Sequence, residues 1–205
     1  RKLNYTSKHT MRIAQTLYEG VDIKDIGMTG LITYMRTDSL RISDEAVDAA
    51  KKYIIENYGA DYYPKTPKKY KVKSNAQDAH EAIRPAYVNM APSDIKDSLT
   101  SEQYRLYKLI WERFVASQMK NAEYDVINVT ISADEYIFKA SDQQIKFAGY
   151  TTLYEEATDN EEEKTSRLPE LNVQDKLLLK ELHNEQKFTT PLPRYNEATL
   201  IKTLE

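Results

Sequence analysis

Tyr34, Arg36 and Asp38 stand at alternate positions, so they share one face of the chain if an extended conformation persists that far. That face would carry a phenol, a guanidinium and a carboxylate. A tyrosyl oxygen can attack phosphorus and form a covalent intermediate, but a phenol with an ordinary pKa of about 10 needs a neighbouring cation or metal to favour the anion. Arg36 could supply that charge and could also clamp a phosphate. Because phenolate leaves more readily than alkoxide, a tyrosyl phosphodiester keeps the broken bond's energy for rejoining, and the cycle needs no ATP. On spacing alone Tyr34 stays undecided between this chemistry and a structural role, since it is one of 16 tyrosines.

Several elements must position these residues. Leu31 to Met35 is a short β-prone run. Before it, Met11, Ala14, Leu17 and Tyr18 recur at helical spacing, which predicts a helix from Ser7 to Glu19 with Ser7 as its cap and Gly20 as its stop. Val21 to Gly30 reads as an irregular connector. Ser43, followed by Asp44 and Glu45, opens a second helix through Ala46, Val47, Ala50, Tyr53 and Ile54 to Gly59. Lys65, Lys68, Lys69, Lys71 and Lys73 lie between Ala60 and Ser74 with Pro64 and Pro67 and predict an exposed basic loop. Ala76 to Pro85 is expected to hold a turn or two of helix stopped by Pro85. Thr100 with Gln103 forms a capping box, and Leu106, Leu109, Ile110, Phe114 and Val115 make an amphipathic stripe to Met119, with Trp111 in the core.

After Met119 the period changes to two. Ile127, Val129 and Ile131, then Tyr136 with Phe138, then Ile145 with Phe147 predict three short antiparallel strands, with turns at residues 133–135 and 141–143. Glu155 to Glu163 reads as a solvated acidic loop, and Leu171 to Phe188 as further strands. Asn196 should cap a last helix through Ala198, Leu200, Ile201 and Leu204, as in a piece of a longer chain. The class is α+β: an α-rich domain at 1–119, a β-rich arch segment at 120–190, and the first helix of a following domain at 191–205.

Composition narrows the functions. With 205 residues there is room for one to two domains, and 40% hydrophobic against 30% charged residues implies a globular fold. No run of 18 apolar residues and no amino-terminal signal region are present, which points away from membranes and export and towards the cytoplasm. Zero Cys removes disulfides, thiol nucleophiles and cysteine zinc sites; metal would need carboxylates or the three His. A net charge of −3 gives no global basic field, so any nucleic-acid binding must be local. Only 5 Gly argue against Gly-rich nucleotide loops.

The residues around Tyr34 decide its role. Gly30-Leu31-Ile32-Thr33-Tyr34-Met35-Arg36-Thr37-Asp38-Ser39 resembles the active-site tyrosine segment of type IA DNA topoisomerases, in the form of the bacterial topoisomerase I branch. Ala79-His80-Glu81-Ala82-Ile83-Arg84-Pro85 is similar to that family's second active-site motif. Pro193-Arg194-Tyr195, leading to Glu197-Ala198-Thr199-Leu200-Ile201, resembles the start of the domain that closes the family's ring. Met35 favours this branch over topoisomerase III, whose segment usually has Pro there.

The resemblance implies that Tyr34 cleaves one DNA strand and becomes linked to its 5′ phosphate. Arg36 would steady the scissile phosphate, and His80 would approach it as donor or proton-relay partner. Thr33, Thr37 and Asp38 would contact DNA or order the site, Gln15 and Glu19 would face it from one helical turn apart, and Arg84 would either touch DNA or pair with a carboxylate. His9 and His183 stand in no motif. The family's Mg²⁺ is expected in an acidic domain upstream; no Asp-x-Asp-x-Glu occurs here, so these residues supply no metal ligands and the piece alone should not relax DNA. Implied partners are single-stranded or underwound DNA and the remaining domains of a toroidal parent chain, with no membrane and a monomeric state. Two alternatives stay open: a non-catalytic single-stranded DNA-binding module using Lys65 to Lys73, or the equivalent piece of reverse gyrase or topoisomerase III.

Overall fold

Helix α1, Ser7–Glu19, begins one residue earlier in its capping than the sequence suggests. Thr6, not Ser7, is the cap, because Thr6 is extended (φ −69°, ψ 155°) and its Oγ1 accepts from the His9 N–H at 3.3 Å. Ile13, Ala14 and Leu17 form its buried stripe, and it stops at Gly20. The coordinates come from a computed structural model, which describes residues 2–68, 70, 80–155, 167–189, 191–192 and 194–204.

Val21 to Gly30, expected to be irregular, is a small hairpin: β1 (Val21–Ile23) pairs antiparallel with β2 (Gly27–Thr29), with Asp22 opposite Met28. Strands of three residues are too short to show an alternation, so the pattern had no room to appear. Helix α2, Asp44–Tyr58, follows the predicted signals, with Ser43 as cap, two acids in its first turn and Gly59 at its end. Helix α3, Ser101–Gln118, carries both bonds of the capping box: Gln103 N–H to Thr100 Oγ1 at 3.2 Å and Thr100 N–H to Gln103 Oε1 at 2.9 Å.

Both α1 and α2 pack on α3. Leu17, Leu31, Ile54, Tyr107, Val115 and Met119 meet there, all but sealed from solvent. Two large aromatics of α3 also fasten the segment before it. The Trp111 Nε1–H donates to the Val88 carbonyl at 2.9 Å, and the Tyr107 hydroxyl to the Met90 carbonyl at 2.7 Å, so each ring fills the core while its polar atom is satisfied.

Residues 80–84 are not helical, in contrast to the expectation for Ala76 to Pro85; residues 76–79 lie outside the described set. An extended neighbour takes up their hydrogen bonds instead. Ile32 bridges Pro85 antiparallel, Thr33 N–H donates to the Arg84 carbonyl at 3.0 Å, and Ala86 N–H to the Leu31 carbonyl at 2.9 Å. Of the basic loop, Lys69, Lys71 and Lys73 are outside the described residues, as is the acidic tract from residue 156 to 163.

By contacts the chain divides into Arg1–Tyr124 with Ile145–Thr158, and Asp125–Gln144 with Asp159–Glu205. In the first unit the chain returns beside the end of α3, where Tyr150 N–H donates to the Lys120 carbonyl at 3.0 Å and a 3₁₀ turn follows at Gly149–Thr152. The second unit is dominated by two long strands rather than three short ones. Strand β3 (Glu123–Ala133) pairs with β4 (Tyr136–Phe147) across Asp134 and Glu135, and Asp134 takes φ 49°. Ser141-Asp142-Gln143 reads as a turn because it is polar. It runs on inside β4, and its buried Asp142 instead accepts from the Leu168 N–H at 3.3 Å.

Leu171 to Phe188 forms no strand. No neighbouring strand among the described residues takes its backbone groups, and Leu178 and Leu179 are exposed, so β propensity goes unrealised. Helix α4, Glu197–Leu204, starts as expected, with Asn196 Oδ1 accepting from the Thr199 N–H at 2.9 Å. Helices with small antiparallel sheets make the class α+β. Among the described residues no helix is long and apolar enough to cross a membrane.

Two stability measurements follow. Gly149 sits at φ +51°, and a Cβ there would fall 2.6 Å from the Asn121 backbone; Gly149→Ala should cost roughly 2–4 kcal/mol, read as a lower urea midpoint. Burial raises the pKa of Tyr53, Tyr58, Tyr63 and, most strongly, Tyr107. A group raised in the folded state contributes stability that is full below the unfolded pKa of about 10 and is lost as pH rises through the folded value. The urea midpoint should therefore hold up to about pH 10 and fall above it.

Candidate active site

The Tyr34 segment is threaded between α1 and residues 80–86. On one side Leu31 N–H donates to the Leu17 carbonyl at 2.7 Å, and a Cβ on Gly30 would stand 2.8 Å from the Tyr18 carbonyl oxygen. Only a residue without a side chain lets the strand approach the end of α1 so closely. The approach brings the Tyr18 ring edge-on to Tyr34, with centroids 5.5 Å apart and planes at 68°.

On the other side Thr33 fixes the register. Its hydroxyl donates to the Ala82 carbonyl at 2.8 Å and accepts from the Arg84 N–H at 2.9 Å. With that register set, the His80 ring lies 5.6 Å from the Tyr34 ring, tilted by 47°. Met35, 4% exposed, plugs into the core, and its neighbours Tyr34 and Arg36 turn outward although the backbone bends at residues 35–36. Tyr34 is 38% exposed, so a molecule can reach its hydroxyl, which makes no hydrogen bond among the described residues.

The remaining candidate residues fall into distinct positions. Gln15 and Glu19 hydrogen-bond to each other along α1, the helix that carries Tyr18. Arg36 and Asp38 are exposed and form no ion pair among the described residues, which leaves both charges available to a ligand. Thr37 Oγ1 accepts from the Ser39 N–H at 3.0 Å, and Ser39 Oγ from the Arg41 N–H at 3.2 Å, so these hydroxyls shape the chain's exit from the site.

Arg84 is tied down. Its guanidinium meets Glu81 at 2.6 Å, the Pro85 carbonyl at 3.0 Å and Ser43 Oγ at 3.5 Å, with its side chain only 13% exposed. Of the two roles considered for it, carboxylate pairing is the contact present. Away from the site, His9 pairs with Glu102 at 3.0 Å and His183 with Glu181 at 3.2 Å.

Sequence reasoning missed Tyr18 and Glu81. In sequence Tyr18 reads only as an apolar position of α1; its place three residues after Gln15, with Gly30 arriving at its carbonyl, is a signal visible only once the strand is docked. Glu81 was a letter inside a motif, and its partnership with Arg84 at three residues' distance needs no helix, only a turn. Among the described residues no three His, Asp or Glu gather in a way that could hold a metal ion.

What the arrangement can do is present a phenol to solvent with an imidazole on one flank and, two residues on, a guanidinium that forms no ion pair among the described residues. Comparison with known proteins gives a family. A family model described as DNA topoisomerase matches residues 1–205. Among solved structures the chain is similar to full-length topoisomerase I from Thermotoga maritima, at 34% identity and a TM-score of 0.74. That match covers 99% of this chain and 32% of the other, so the chain spans about a third of its relative's length.

The Glu81–Arg84 pair predicts an asymmetry. Glu81→Ala strands a mostly buried guanidinium and should cost roughly 3 kcal/mol in urea unfolding. Glu81→Gln keeps an acceptor and should cost markedly less, and equal losses would show that the pair is not what holds this corner.

Proposed function

The chain belongs to the DNA topoisomerase family, and from that premise we propose that it is the tyrosine-bearing part of a type IA enzyme that cuts and rejoins one DNA strand through Tyr34. The observation that carries this reading is the outward Tyr34 ring, held by Tyr18 and His80 where its oxygen meets solvent.

In the proposed step the phenolic oxygen attacks phosphorus and the bond from phosphorus to the 3′ oxygen breaks. The phenol's proton is lost as the new bond forms, and the departing 3′ oxygen takes up one proton. One phosphodiester is exchanged for another, so the reverse attack by the 3′ hydroxyl restores the strand without ATP. Arg36, two residues from Tyr34 and without an ion pair among the described residues, holds the phosphate and offsets the charge growing on its oxygens. His80 donates to the phosphate or passes the proton. Thr33 orders the segment, Thr37 and Asp38 border the path of the strand, and Gln15 with Glu19 line the site from α1.

Mg²⁺ enters this reading only through the parent protein. As the family resemblance implies, its ligands would lie in an acidic domain of that parent, and no step above runs through it. The substrate is single-stranded or underwound DNA in the bacterial cytoplasm. Between cleavage and rejoining the tyrosine domain lifts, with the β-rich segment as hinge, and a second strand passes so that negative supercoils relax.

The test is a covalent protein–DNA adduct formed by the chain together with the acidic domain, Mg²⁺ and a single-stranded oligonucleotide. Tyr34→Phe should abolish the adduct, and Arg36→Ala or His80→Ala should slow its formation roughly 100-fold. An undiminished adduct with Tyr34→Phe defeats the assignment.

A further inference from the structure

Two cavities of about 530 and 190 Å³ lie end to end along α3 and share Arg113 and Ser117 as lining residues. The larger begins at Leu40, Ile42, Ala82 and Ile83, residues that directly follow the Tyr34–Asp38 segment and His80, and its far wall is the apolar face of α3. The smaller continues to Lys68, Tyr150 and Tyr154. The groove thus starts at residues that neighbour the Tyr34 site in sequence, and Lys68 and Tyr70, from the basic segment that the chemistry at Tyr34 leaves unused, each line one part of it.

Among the described residues that line the two cavities, the charged ones are Arg113 and Lys68. Arg113 and Lys68 make no ion pair among the described residues; Arg113 faces the Tyr154 ring at 5.9 Å and Lys68 the Tyr150 ring at 6.0 Å. Glu112, the nearest acid on α3, is engaged with Lys108 at 3.6 Å. Lys2 lies over the opposite part of the same patch, 3.8 Å from the Tyr154 ring centre. Lys68 is half-buried, and burial lowers its pKa.

The groove also offers a fixed ring. Tyr70 is 41% exposed and lines the larger cavity, and its hydroxyl donates to the Ser117 carbonyl at 2.7 Å, which ties the end of the side chain to α3. Two cations, Arg113 and Lys68, that form no ion pair among the described residues, beside an apolar wall and an aromatic ring, fit a chain that alternates phosphates with flat bases.

We propose that this groove is a second contact for single-stranded DNA, holding nucleotides of the strand that leaves the Tyr34 site, with phosphates on Arg113 and Lys68 and a base on Tyr70. The proposal rests on the reading of Tyr34 as the strand-cleaving residue, but its test is equilibrium binding and needs no cleavage.

Fluorescence anisotropy of a labelled oligothymidylate with the 205-residue chain, without divalent metal and across a salt series, reads the contact. Lys68→Gln with Arg113→Gln should weaken binding about ten-fold and reduce the slope of log affinity against log salt by about 1.4, or roughly 0.7 for each lost phosphate contact. Tyr70→Ala should weaken binding about five-fold with the slope unchanged. Circular dichroism melting confirms that each variant folds.

Unchanged affinity and slope in the folded double variant overturn the groove. If Arg36→Gln still weakens binding in that case, the reading of the Tyr34 site stands alone; if the wild-type chain binds no oligonucleotide at all, both fall. Displacement of the oligonucleotide at equal concentration by a polyglutamate peptide of the same charge also overturns the proposal, because it would show a site for any polyanion.

Discussion

One hydroxyl sets the register on which the candidate site depends. Thr33 donates to Ala82 and accepts from Arg84, and its own N–H reaches the Arg84 carbonyl, so three bonds fasten two stretches of chain some 50 residues apart. A slip of one residue in an extended pairing turns every side chain to the opposite face. Here it would point Tyr34 into the core and expose Met35. Valine in place of Thr33 would preserve the shape yet leave a carbonyl and an N–H without their partner, a change of the kind that costs more than the lost bonds themselves.

Packing supports that register from behind. Leu31 and Ile32 are buried against α1 and its neighbours, and Gly30 lets the backbone pass the Tyr18 carbonyl. Segment 86–90 is fastened to α3 through the Trp111 and Tyr107 side chains, so the strand's partner is anchored to the same core as the strand. The candidate site is therefore assembled by elements that all converge on α3, and its precision comes from the core rather than from its exposed residues.

How much of this could be read from sequence depended on the length and self-sufficiency of each signal. Helices α2 and α3 were legible because caps, first-turn acids and apolar stripes agreed over four or five turns. The hairpin at Val21–Thr29 was not, since three-residue strands carry no periodicity. Polar Ser141-Asp142-Gln143 imitated a turn because the partner of Asp142, the Leu168 N–H, is 26 residues away. Leu171 to Phe188 had strand-like composition but nothing to pair with among the described residues. At the candidate site, Tyr34 and Arg36 stand in one long, specific string and His80 in a second motif, whereas the contacts of Tyr18 and Glu81 exist only after docking.

The way Tyr34 is held has its own consequence. Its ring is steered by two aromatic neighbours, each worth on the order of 1 kcal/mol, while no protein group among the described residues engages its oxygen. Two such contacts bias the side chain's orientation by about thirty-fold without immobilising it. On the proposed reading, an incoming phosphate would meet no bond from the described residues at that oxygen. An esterified Tyr34 would then pivot at its base, carrying its cargo outward while the strand beneath stays in register.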